Sequence, residues 1–278
     1  MSHRIINNEF LNQQVFRLTV EAADIAAKIK PGQFIILRLD EKAERIPLTV
    51  SQANPQQGYI QLIIQKIGTS TIRLSELKPG DIIQDMIGPL GQPTEIKNYG
   101  KVICIAGGVG IAEIYPLAAA LKNAGNTLSS IIGARNKDLL MLEQEIKQLS
   151  SCFYSVTDDG SAGAKGNVGD ILKKLLTEQS YDIVFAVGPV AMMKAIAELT
   201  KKYKLKTIVS LNSIMVDGTG MCGSCRVSIA GKTKFVCVDG PDFDAHLVDF
   251  AELAMRQKRF TKQEKHCLPE NKEHKACH

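Results

Sequence analysis

Two different hydrophobic patterns divide the chain near residue 100. Before that point, short segments rich in β-branched residues are separated by Pro-Gly, Asn-Pro and Gly turns, which is typical of strands. Several short strands at this spacing predict a small closed or nearly closed β-barrel. The clearest strand segments are residues 15–20, 33–39, 59–64 and 81–87, and one short helix is predicted over 70–77.

After residue 100, near-continuous apolar strands alternate with helical stretches. This alternation predicts a parallel sheet that is covered by helices on both faces. The strands are predicted over 102–106, 128–133, 153–157, 183–187 and 207–210, and the helices over 111–123, 137–149, 167–178 and 190–203. The fold class is therefore a β-barrel followed by an α/β domain with a parallel sheet.

The last part of the chain returns to loops and one hairpin. We predict its strands over 226–229 and 233–238, with a turn at Ala230-Gly231. The changes of pattern divide the chain into a barrel (1–98), an α/β domain (99–210), a small loop-rich segment (211–262) and a polar tail (263–278). The tail carries cysteines and histidines that could bind metal, although a frayed, solvated chain end is expected there: His266, Cys267, His274, Cys277 and His278.

Composition narrows the classes of function. A chain of 278 residues with 45% hydrophobic and 23% charged residues has the usual balance of a soluble globular protein with two cores. The net charge of +5 is mild and much of it comes from the residues after Arg256, so we expect no nucleic-acid partner. There is no apolar run long enough to cross a membrane and no apolar stretch at the N-terminus, so we expect neither a membrane span nor a signal peptide. Seven cysteines without an export signal indicate a reducing compartment, the cytoplasm.

One cysteine motif is the strongest chemical signal in the sequence. Asp217, Cys222, Cys225 and Cys237 follow the spacing of a plant-type 2Fe–2S site, with aspartate in place of the first cysteine. Two thiolates on one glycine-rich turn can hold one iron, and Asp217 with Cys237 can hold the other. A zinc site or a disulfide set is the alternative, but zinc sites usually add a second pair or histidines, and only His246 is near in sequence.

A candidate phosphate-binding site lies in the predicted barrel. Alternation places Arg45, Pro47, Thr49 and Ser51 on one side of an extended segment, where an arginine can clamp a pyrophosphate and a threonine can reach a ring nitrogen. After the next strand, a glycine turn enters a helix with three hydroxyl groups, which is a second phosphate site: Lys66, Gly68, Thr69, Ser70 and Thr71.

A second candidate nucleotide site lies in the predicted α/β domain. Gly107, Gly108 and Gly110 stand between its first strand and first helix, the context of a dinucleotide loop, although a tight β-α turn would use the same residues. Ligands bind outside the carboxyl ends of parallel strands. The ends of two later strands carry the other candidates: Asp158, Asp159, Gly188, Pro189 and Met192.

A barrel, a parallel α/β domain and a 2Fe–2S segment, in that order, resemble the ferredoxin–NADP reductase superfamily. More narrowly, residues 4–262 resemble the electron-transfer subunits of class B dihydroorotate dehydrogenase, and most of all the small subunits of NAD-dependent ferredoxin:NADP oxidoreductase. The motifs behind the resemblance are RIPLTVS at 45–51, GTSTIRL at 68–74, GGVGIAEIYPLA at 107–118, the Asp217 motif and CVDGP at 237–241. Two features depart from the wider superfamily: Asp217, which the NAD-dependent small subunits share, and Glu113 where many relatives have proline.

The resemblance implies three cofactor sites. FAD would be held by Arg45, Pro47, Leu48, Thr49, Val50, Ser51, Lys66, Gly68, Thr69, Ser70 and Thr71. The nicotinamide nucleotide, NAD(H) or NADP(H), would be held by Gly107, Gly108, Gly110, Ile111, Arg135, Asp158, Asp159, Gly188, Pro189 and Met192. The 2Fe–2S ligands would be Asp217, Cys222, Cys225 and Cys237. The resemblance favours NAD, whereas Arg135 stands where a 2′-phosphate could bind.

The function that the resemblance implies is electron transfer. The chain would be an oxidoreductase subunit that moves electrons between NAD(H) and a larger flavin and iron–sulfur subunit. Ferredoxin would be a further partner of this electron-bifurcating complex. Two other functions stay open: the electron-transfer subunit of a dihydroorotate dehydrogenase, and a non-catalytic module that senses iron or redox state.

Overall fold

The computed structural model of the chain describes residues 3–266, apart from the side chain of Lys265. The candidate metal-binding residues Cys267, His274, Cys277 and His278 lie outside the described residues. The strands are β1 His3–Phe10, β2 Val15–Glu21, β3 Phe34–Arg38, β4 Arg45–Asn54, β5 Tyr59–Gln65, β6 Ile82–Ile83, β7 Asp85–Leu90, β8 Lys101–Gly107, β9 Thr127–Ala134, β10 Cys152–Thr157, β11 Ala164–Lys165, β12 Ile183–Val187, β13 Thr207–Ser210, β14 Arg226–Ile229, β15 Lys232–Phe235 and β16 Asp242–Asp244. The α-helices are α1 Ala23–Ala26, α2 Thr69–Ser75, α3 Ile111–Asn123, α4 Glu143–Leu149, α5 Val168–Glu178, α6 Val190–Lys202, α7 Val236–Asp239, α8 Phe250–Gln257 and α9 Thr261–His266.

The first seven strands form one antiparallel sheet in the order β6-β1-β2-β5-β4-β3-β7. Apolar side chains that alternate along β2, β3 and β5 bury a common core, which includes Phe16, Leu18 and Leu62. The edge strands β6 and β7 are separated in sequence by Gln84 alone, so the chain itself links the two edges of a partly closed barrel. The continuous strand predicted over 81–87 is therefore divided in two at Gln84.

The next domain has the predicted parallel sheet, in the order β11-β10-β9-β8-β12-β13-β16. The central strand β8 is buried along nearly its whole length, because α3 and α4 pack on one face of the sheet and α5 and α6 on the other. This arrangement confirms the predicted fold class. It also places the carboxyl ends of β8, β9, β10 and β12 at one edge.

Two predicted elements differ from the structure. The helix predicted over 137–149 is a 3-10 turn at Lys137–Leu139 followed by α4, because Leu142 adopts a left-handed backbone conformation with φ of 53° between them. The second hairpin strand ends at Phe235, and the next four residues turn into α7. Cys237 therefore lies in a helical turn rather than on a strand.

The loop-rich segment joins both domains. Its strand β16 pairs antiparallel with β13, so the second sheet continues across the boundary expected at residue 210. Cys225 and Cys237 share a hydrophobic core with Phe34 and Ile36 of β3. The segment thus packs against the barrel and the parallel sheet at the same time. In residues 3–266, no helix combines the length and apolar composition that crossing a membrane requires.

Candidate functional site

A cleft of about 880 Å³ lies where the barrel meets the carboxyl edge of the parallel sheet. The barrel lines it with Pro47, Leu48, Thr49 and Thr71. The α/β domain lines it with eight residues predicted for the nicotinamide nucleotide: Gly107, Gly108, Gly110, Arg135, Asp158, Gly188, Pro189 and Met192. One cleft therefore unites residues from both predicted nucleotide sites, as an enzyme that passes hydride between two bound nucleotides requires.

Glycine is required where the ends of β8 and β12 meet. A Cβ atom on Gly107 would lie 2.5 Å from the sulfur of Met192, and one on Gly110 would lie 2.4 Å from the carbonyl oxygen of Val187. A Cβ atom on Gly188 would approach the Cα atom of Gly107 to 3.1 Å. These contacts leave no space for side chains, so the backbone itself forms the floor of the cleft. The glycine loop is therefore a tight β-α turn whose backbone also lines the cleft.

The remaining FAD candidates lie off the cleft or at its margin. The bulge in β4 between Val50 and Gln52 interrupts the alternation, so Val50 packs into the barrel core and the Ser51 hydroxyl donates to the Gln61 carbonyl at 2.9 Å. Arg45 is exposed. The ammonium group of Lys66 lies 5.0 Å from the centre of the Phe10 ring, outside the cleft lining.

The glycine turn before α2 is shaped by Thr71. Its hydroxyl accepts from the backbone N–H groups of Ile67 and Gly68 at 3.0 and 3.1 Å, and donates to the Gly68 carbonyl. Gly68, Thr69 and Ser70 belong to this turn and the first turn of α2 but do not line the cleft. The turn is therefore ordered by its own hydroxyl group, with Thr71 facing the cleft.

Two nicotinamide candidates have other surroundings. Ile111 is 2% exposed and belongs to the core between α3 and the sheet. The Asp159 carboxylate accepts from the backbone and hydroxyl of Ser161 at 2.9 and 2.6 Å, and these bonds lower the pKa of Asp159. Asp159 therefore stabilises its own turn, whereas the neighbouring Asp158 lines the cleft.

Glu113 is a cleft residue that the sequence did not identify as a site residue. It lies in the first turn of α3 and is 8% exposed. Burial raises the pKa of Glu113 to about 8, and the nearby Asp242 carboxylate adds a smaller effect in the same direction. The hydroxyls of Ser210 and Thr49 have the opposite effect and lower this pKa. A glutamate inside an apolar helix sequence was the signal that could have identified it, since a buried carboxyl group is costly and common at functional sites.

Two of the four predicted cluster ligands, Asp217 and Cys222, lie on one turn. The Asp217 carboxylate accepts from the backbone N–H groups of Thr219 and Cys222, each at 2.8 Å, and these bonds lower the pKa of Asp217. Three glycines allow the turn to reverse sharply, with φ values of 76°, 86° and 66° at Gly218, Gly220 and Gly223. Asp217 thus stays charged and near Cys222, which is exposed.

The sulfur atoms of Cys225 and Cys237 lie 3.2 Å apart in the interior. The structure therefore pairs Cys225 with Cys237, and Asp217 with Cys222, rather than Cys222 with Cys225. The reason is that Cys225 and Cys237 point into the core, whereas the turn holds Cys222 at the surface. In residues 3–266, no three Cys, His, Asp or Glu side chains converge on one metal position. Each iron of a 2Fe–2S cluster takes two protein ligands, so two pairs would suit such a cluster, whereas a zinc site takes four converging ligands.

The donor set fits an iron–sulfur cluster chemically. Burial, followed by the adjacent Cys225 thiol, raises the pKa of Cys237 to about 12. Such a thiol keeps its proton unless a cation replaces it, and metal binding removes that proton. Backbone N–H groups of Ser224 and Cys237 point at the sulfurs of Cys222 and Cys225 at 3.5 Å. Hydrogen bonds of this kind stabilise the anionic sulfur of a bound cluster.

Known protein families match each part of the chain. The oxidoreductase FAD-binding domain matches residues 4–94, and the oxidoreductase NAD-binding domain matches residues 104–198. The iron–sulfur cluster binding domain of dihydroorotate dehydrogenase B matches residues 212–249. The fold and these matches define the class: a flavin- and nicotinamide-binding oxidoreductase with an iron–sulfur domain.

Relatives of nearly equal length refine this class. The dihydroorotate dehydrogenase B electron transfer subunit homolog of Thermotoga maritima is 46% identical, covering 95% of this chain and 93% of that one. The probable electron transfer subunit from Methanopyrus kandleri is 34% identical, over 77% and 79% of the two chains. The chain belongs to the family of dihydroorotate dehydrogenase B electron-transfer subunits and their homologues. This family confirms the predicted cofactor types and indicates a partner subunit, while the residues that hold each cofactor stay predictions.

Solved structures agree with the family. A structure of the NADH-dependent reduced ferredoxin–NADP oxidoreductase, from a study of flavin-based electron bifurcation, has a TM-score of 0.92 and 44% identity, covering 95% of this chain and 96% of that one. The ferredoxin reductase of carbazole 1,9a-dioxygenase has a TM-score of 0.61 and 18% identity over 74% of this chain and 66% of that one, which shows the fold alone. The predicted superfamily is confirmed.

The predicted role of Asp217 can be tested by two substitutions. If Asp217 is an iron ligand, we expect purified Asp217→Ala to lose most of its iron and sulfide. Asp217→Cys should keep the cluster but shift its potential and spectrum, because a thiolate is a softer donor than a carboxylate. Metal analysis and electron paramagnetic resonance of the reduced protein measure both effects.

Asp159→Ala is the matched control, because Asp159 also accepts two hydrogen bonds within an exposed turn. It should leave the iron content unchanged. If Asp217→Ala keeps the wild-type resonance signal of the reduced cluster, Asp217 only stabilises the turn and is not a ligand.

Proposed function

We propose that this chain is the flavin and 2Fe–2S electron-transfer subunit of a ferredoxin:NADP oxidoreductase complex that bifurcates electrons. It moves electrons between NAD(H) and a larger iron–sulfur flavoprotein in the cytoplasm. The observation that carries the proposal is the single cleft shared by Thr49 of the barrel and Gly107–Gly110 of the α/β domain, with the cluster turn packed on the same barrel. The similarity to the NADH-dependent ferredoxin–NADP oxidoreductase supports this complex in particular.

The three predicted cofactor sites together form a complete path for electrons. Hydride carries two electrons and a 2Fe–2S cluster accepts one, so a flavin, which can exchange either, supplies the step between them. We propose the boundaries 1–98, 99–210 and 211–262 for the FAD, nicotinamide and cluster segments. Pro47, Leu48, Thr49 and Thr71 would hold the flavin from the barrel side. The backbone of Gly107–Gly110 would hold the nicotinamide nucleotide from the other side.

The cluster turn lies against the wall of the barrel. A Cβ atom on Gly218 would lie 2.6 Å from the Ile36 side chain and 2.9 Å from that of Leu90. Ile36 belongs to β3, and Phe34 of the same strand lines the cleft. Phe34 and Ile36 lie on the same face of β3, roughly 7 Å apart along the strand, so the cluster turn packs close to the lining of the cleft. Such closeness is what electron transfer to the cluster needs.

The other side of the cluster turn faces outward. Val216, Met221 and Val238 are apolar yet 50%, 89% and 41% exposed. Val216 and Met221 flank the turn that carries the exposed Cys222, and Val238 lies next to Gly220 of that turn. We call these three residues the exit patch. Apolar side chains beside an exposed redox group fit a surface that a partner covers. We propose that the larger subunit docks there and that ferredoxin is served through the complex.

The family names favour one second candidate. Several relatives are dihydroorotate dehydrogenase B electron transfer subunits, including one that is 31% identical from Geobacillus thermodenitrificans. In that case the same cleft and cluster would accept electrons from a dihydroorotate-oxidising partner and pass them to NAD(+). The subunit that co-purifies with the chain distinguishes the two candidate functions. The partner in the bifurcating complex is an iron–sulfur flavoprotein, whereas a dihydroorotate-oxidising partner is not expected to carry the same cofactors.

Nucleotide choice tests the proposed electron source. We expect NADH to reduce the bound flavin faster than NADPH in stopped-flow measurements, and Arg135→Ala to leave the NADH rate unchanged. If Arg135 bound a 2′-phosphate, the charged contact would contribute about 1.5–3 kcal/mol, so its loss would lower NADPH use tenfold or more.

The control is Lys137→Ala, which removes a neighbouring exposed charge. A preference for NADPH that disappears in Arg135→Ala would contradict the proposed use of NADH. If neither NADH nor NADPH reduced the flavin, the proposed function itself would be contradicted.

The exit patch can be tested by adding a charge at its most exposed residue. Met221→Glu should weaken binding of the separately purified larger subunit by about tenfold or more, because a charge would be buried in the interface. Met221→Leu should bind nearly as wild type. Ile82→Glu, which alters an equally apolar but separate position on β6, is the control. Unchanged binding by Met221→Glu would place the interface elsewhere.

A further inference from the structure

Two carboxyl groups lie where the barrel meets the parallel sheet, beside the proposed cofactor cleft. We propose that Glu113, acting through the hydroxyl of Thr49, exchanges the proton that accompanies flavin reduction and reoxidation, and that Asp242 passes this proton to and from solvent. The inference deepens the proposed function, because it assigns the path of the proton in the same reaction.

Electron transfer through this chain leaves a proton to be moved. When hydride passes from NADH to the flavin, a C–H bond of the nicotinamide breaks and an N–H bond forms, so one proton arrives with two electrons. The cluster then accepts the electrons one at a time and takes no proton. For each pair of electrons, the N–H bond must break and one proton must leave the cleft. In the reverse direction one proton must enter.

Glu113 is placed to exchange that proton. Thr49, Glu113 and Ser210 line the same cleft, with Thr49 and Ser210 on opposite sides of the domain junction. The two hydroxyls lower the pKa of the Glu113 carboxyl, as nearby hydrogen-bonding groups do. Thr49 lines the cleft and is the residue predicted to reach the flavin ring. A hydroxyl group can donate and accept at the same time, so Thr49 can carry a proton between the cleft and Glu113.

Asp242 continues the path away from the cleft. Its carboxyl accepts from the Thr94 hydroxyl at 2.6 Å and also interacts with Ser210, so the Ser210 hydroxyl connects the two carboxyls. Asp242 is half-buried, whereas Glu113 is buried. The resulting chain runs from Thr49 through Glu113 and Ser210 to Asp242. It leads from the cleft floor toward the surface.

The charges around the pair favour one shared proton. Burial raises the pKa of Glu113 to about 8 and that of Asp242 to about 6. Two negative charges at this buried junction disfavour each other, so near neutral pH the pair holds one proton between them. A negative charge on Asp242 affects two neighbouring groups. It contributes to the raised pKa of Glu113 and to the raised pKa of the Tyr99 hydroxyl. A proton that reaches Glu113 from the cleft can thus displace the shared proton toward Asp242, which is the more exposed of the two carboxyls.

A purely structural role explains these residues less well. If Glu113 and Asp242 only joined the domains, amide side chains in their places could accept the same hydrogen bonds from Thr49 and Thr94. Amides would avoid the cost of burying an ionisable group. Instead, two carboxyls with raised pKa values line one path from the cleft. Burial of acids with separated pKa values is the usual arrangement for proton exchange near neutral pH.

The first test counts protons in the flavin-loaded full chain. The flavin potential is measured electrochemically as a function of pH, so that NADH is not needed. Between about pH 6 and pH 8, we expect wild type to take up close to two protons per two electrons, because the reduced, anionic flavin draws a second proton onto the carboxyl pair. Glu113→Gln, which keeps the shape and the hydrogen bonds, should take up close to one. Glu113→Asp should restore part of the difference.

The second test observes the carboxyl directly. In wild type, the reduced-minus-oxidised infrared spectrum should contain a protonated-carboxyl band that moves when glutamate is labelled with carbon-13. Glu113→Gln should lack this band, and Asp242→Asn should shift it. Reoxidation by a one-electron acceptor should slow by about a hundredfold in Glu113→Gln. Glu178→Gln, an exposed change at the end of α5, should match wild type in every measurement.

Each outcome decides the inference. Equal proton counts in wild type and Glu113→Gln, or a wild-type spectrum without a labelled glutamate band, would overturn it. The wild-type spectrum gives this answer even if the variants do not fold. Failure of the proposed function is distinguishable, because there NADH would leave the flavin oxidised although the electrode reduces it.

Discussion

The packing of α3 against β4 is the contact on which the cleft depends. Helix α3 follows directly from the glycines at the end of β8, so its position also sets the nicotinamide loop. Strand β4 carries Thr49, the barrel residue that bonds to Glu113 of α3. A small shift between the two elements would separate the two proposed cofactor sites, and a displacement of about 1 Å can cost hydride transfer a hundredfold.

The C-terminal segment extends the same principle. Its strand β16 completes the parallel sheet, and Asp242 at the start of that strand bonds to Thr94 of the first segment. The backbone of Gln92 and that of Gly240 form a further link at 2.6 Å. The cluster turn is thus held by both domains instead of hanging from one. An electron carrier held in this way keeps a constant distance to the flavin site, which a flexible attachment would not provide.

Local patterns in the sequence explain most of the fold. The apolar runs of β8 and β12 and the glycines that follow them are local signals, and they predicted both the parallel sheet and its ligand-binding edge. The bulge at Ser51 was not predictable, because it depends on the pairing of β4 with β5. Glu113 was missed as a site residue for the same reason: its partners Thr49 and Ser210 are distant in sequence. The pairing of Cys225 with Cys237 depends on which side chains face the core, which spacing alone does not reveal.

Anaerobic reduction of the purified chain by NADH alone tests the central claim most directly. Flavin absorbance and the paramagnetic signal of the reduced cluster would be recorded in the same freeze-quenched samples. The account predicts that the flavin is reduced first and that the cluster signal then rises as the flavin passes on single electrons. A cluster that stays oxidised beside fully reduced flavin, although dithionite reduces it, would contradict the account.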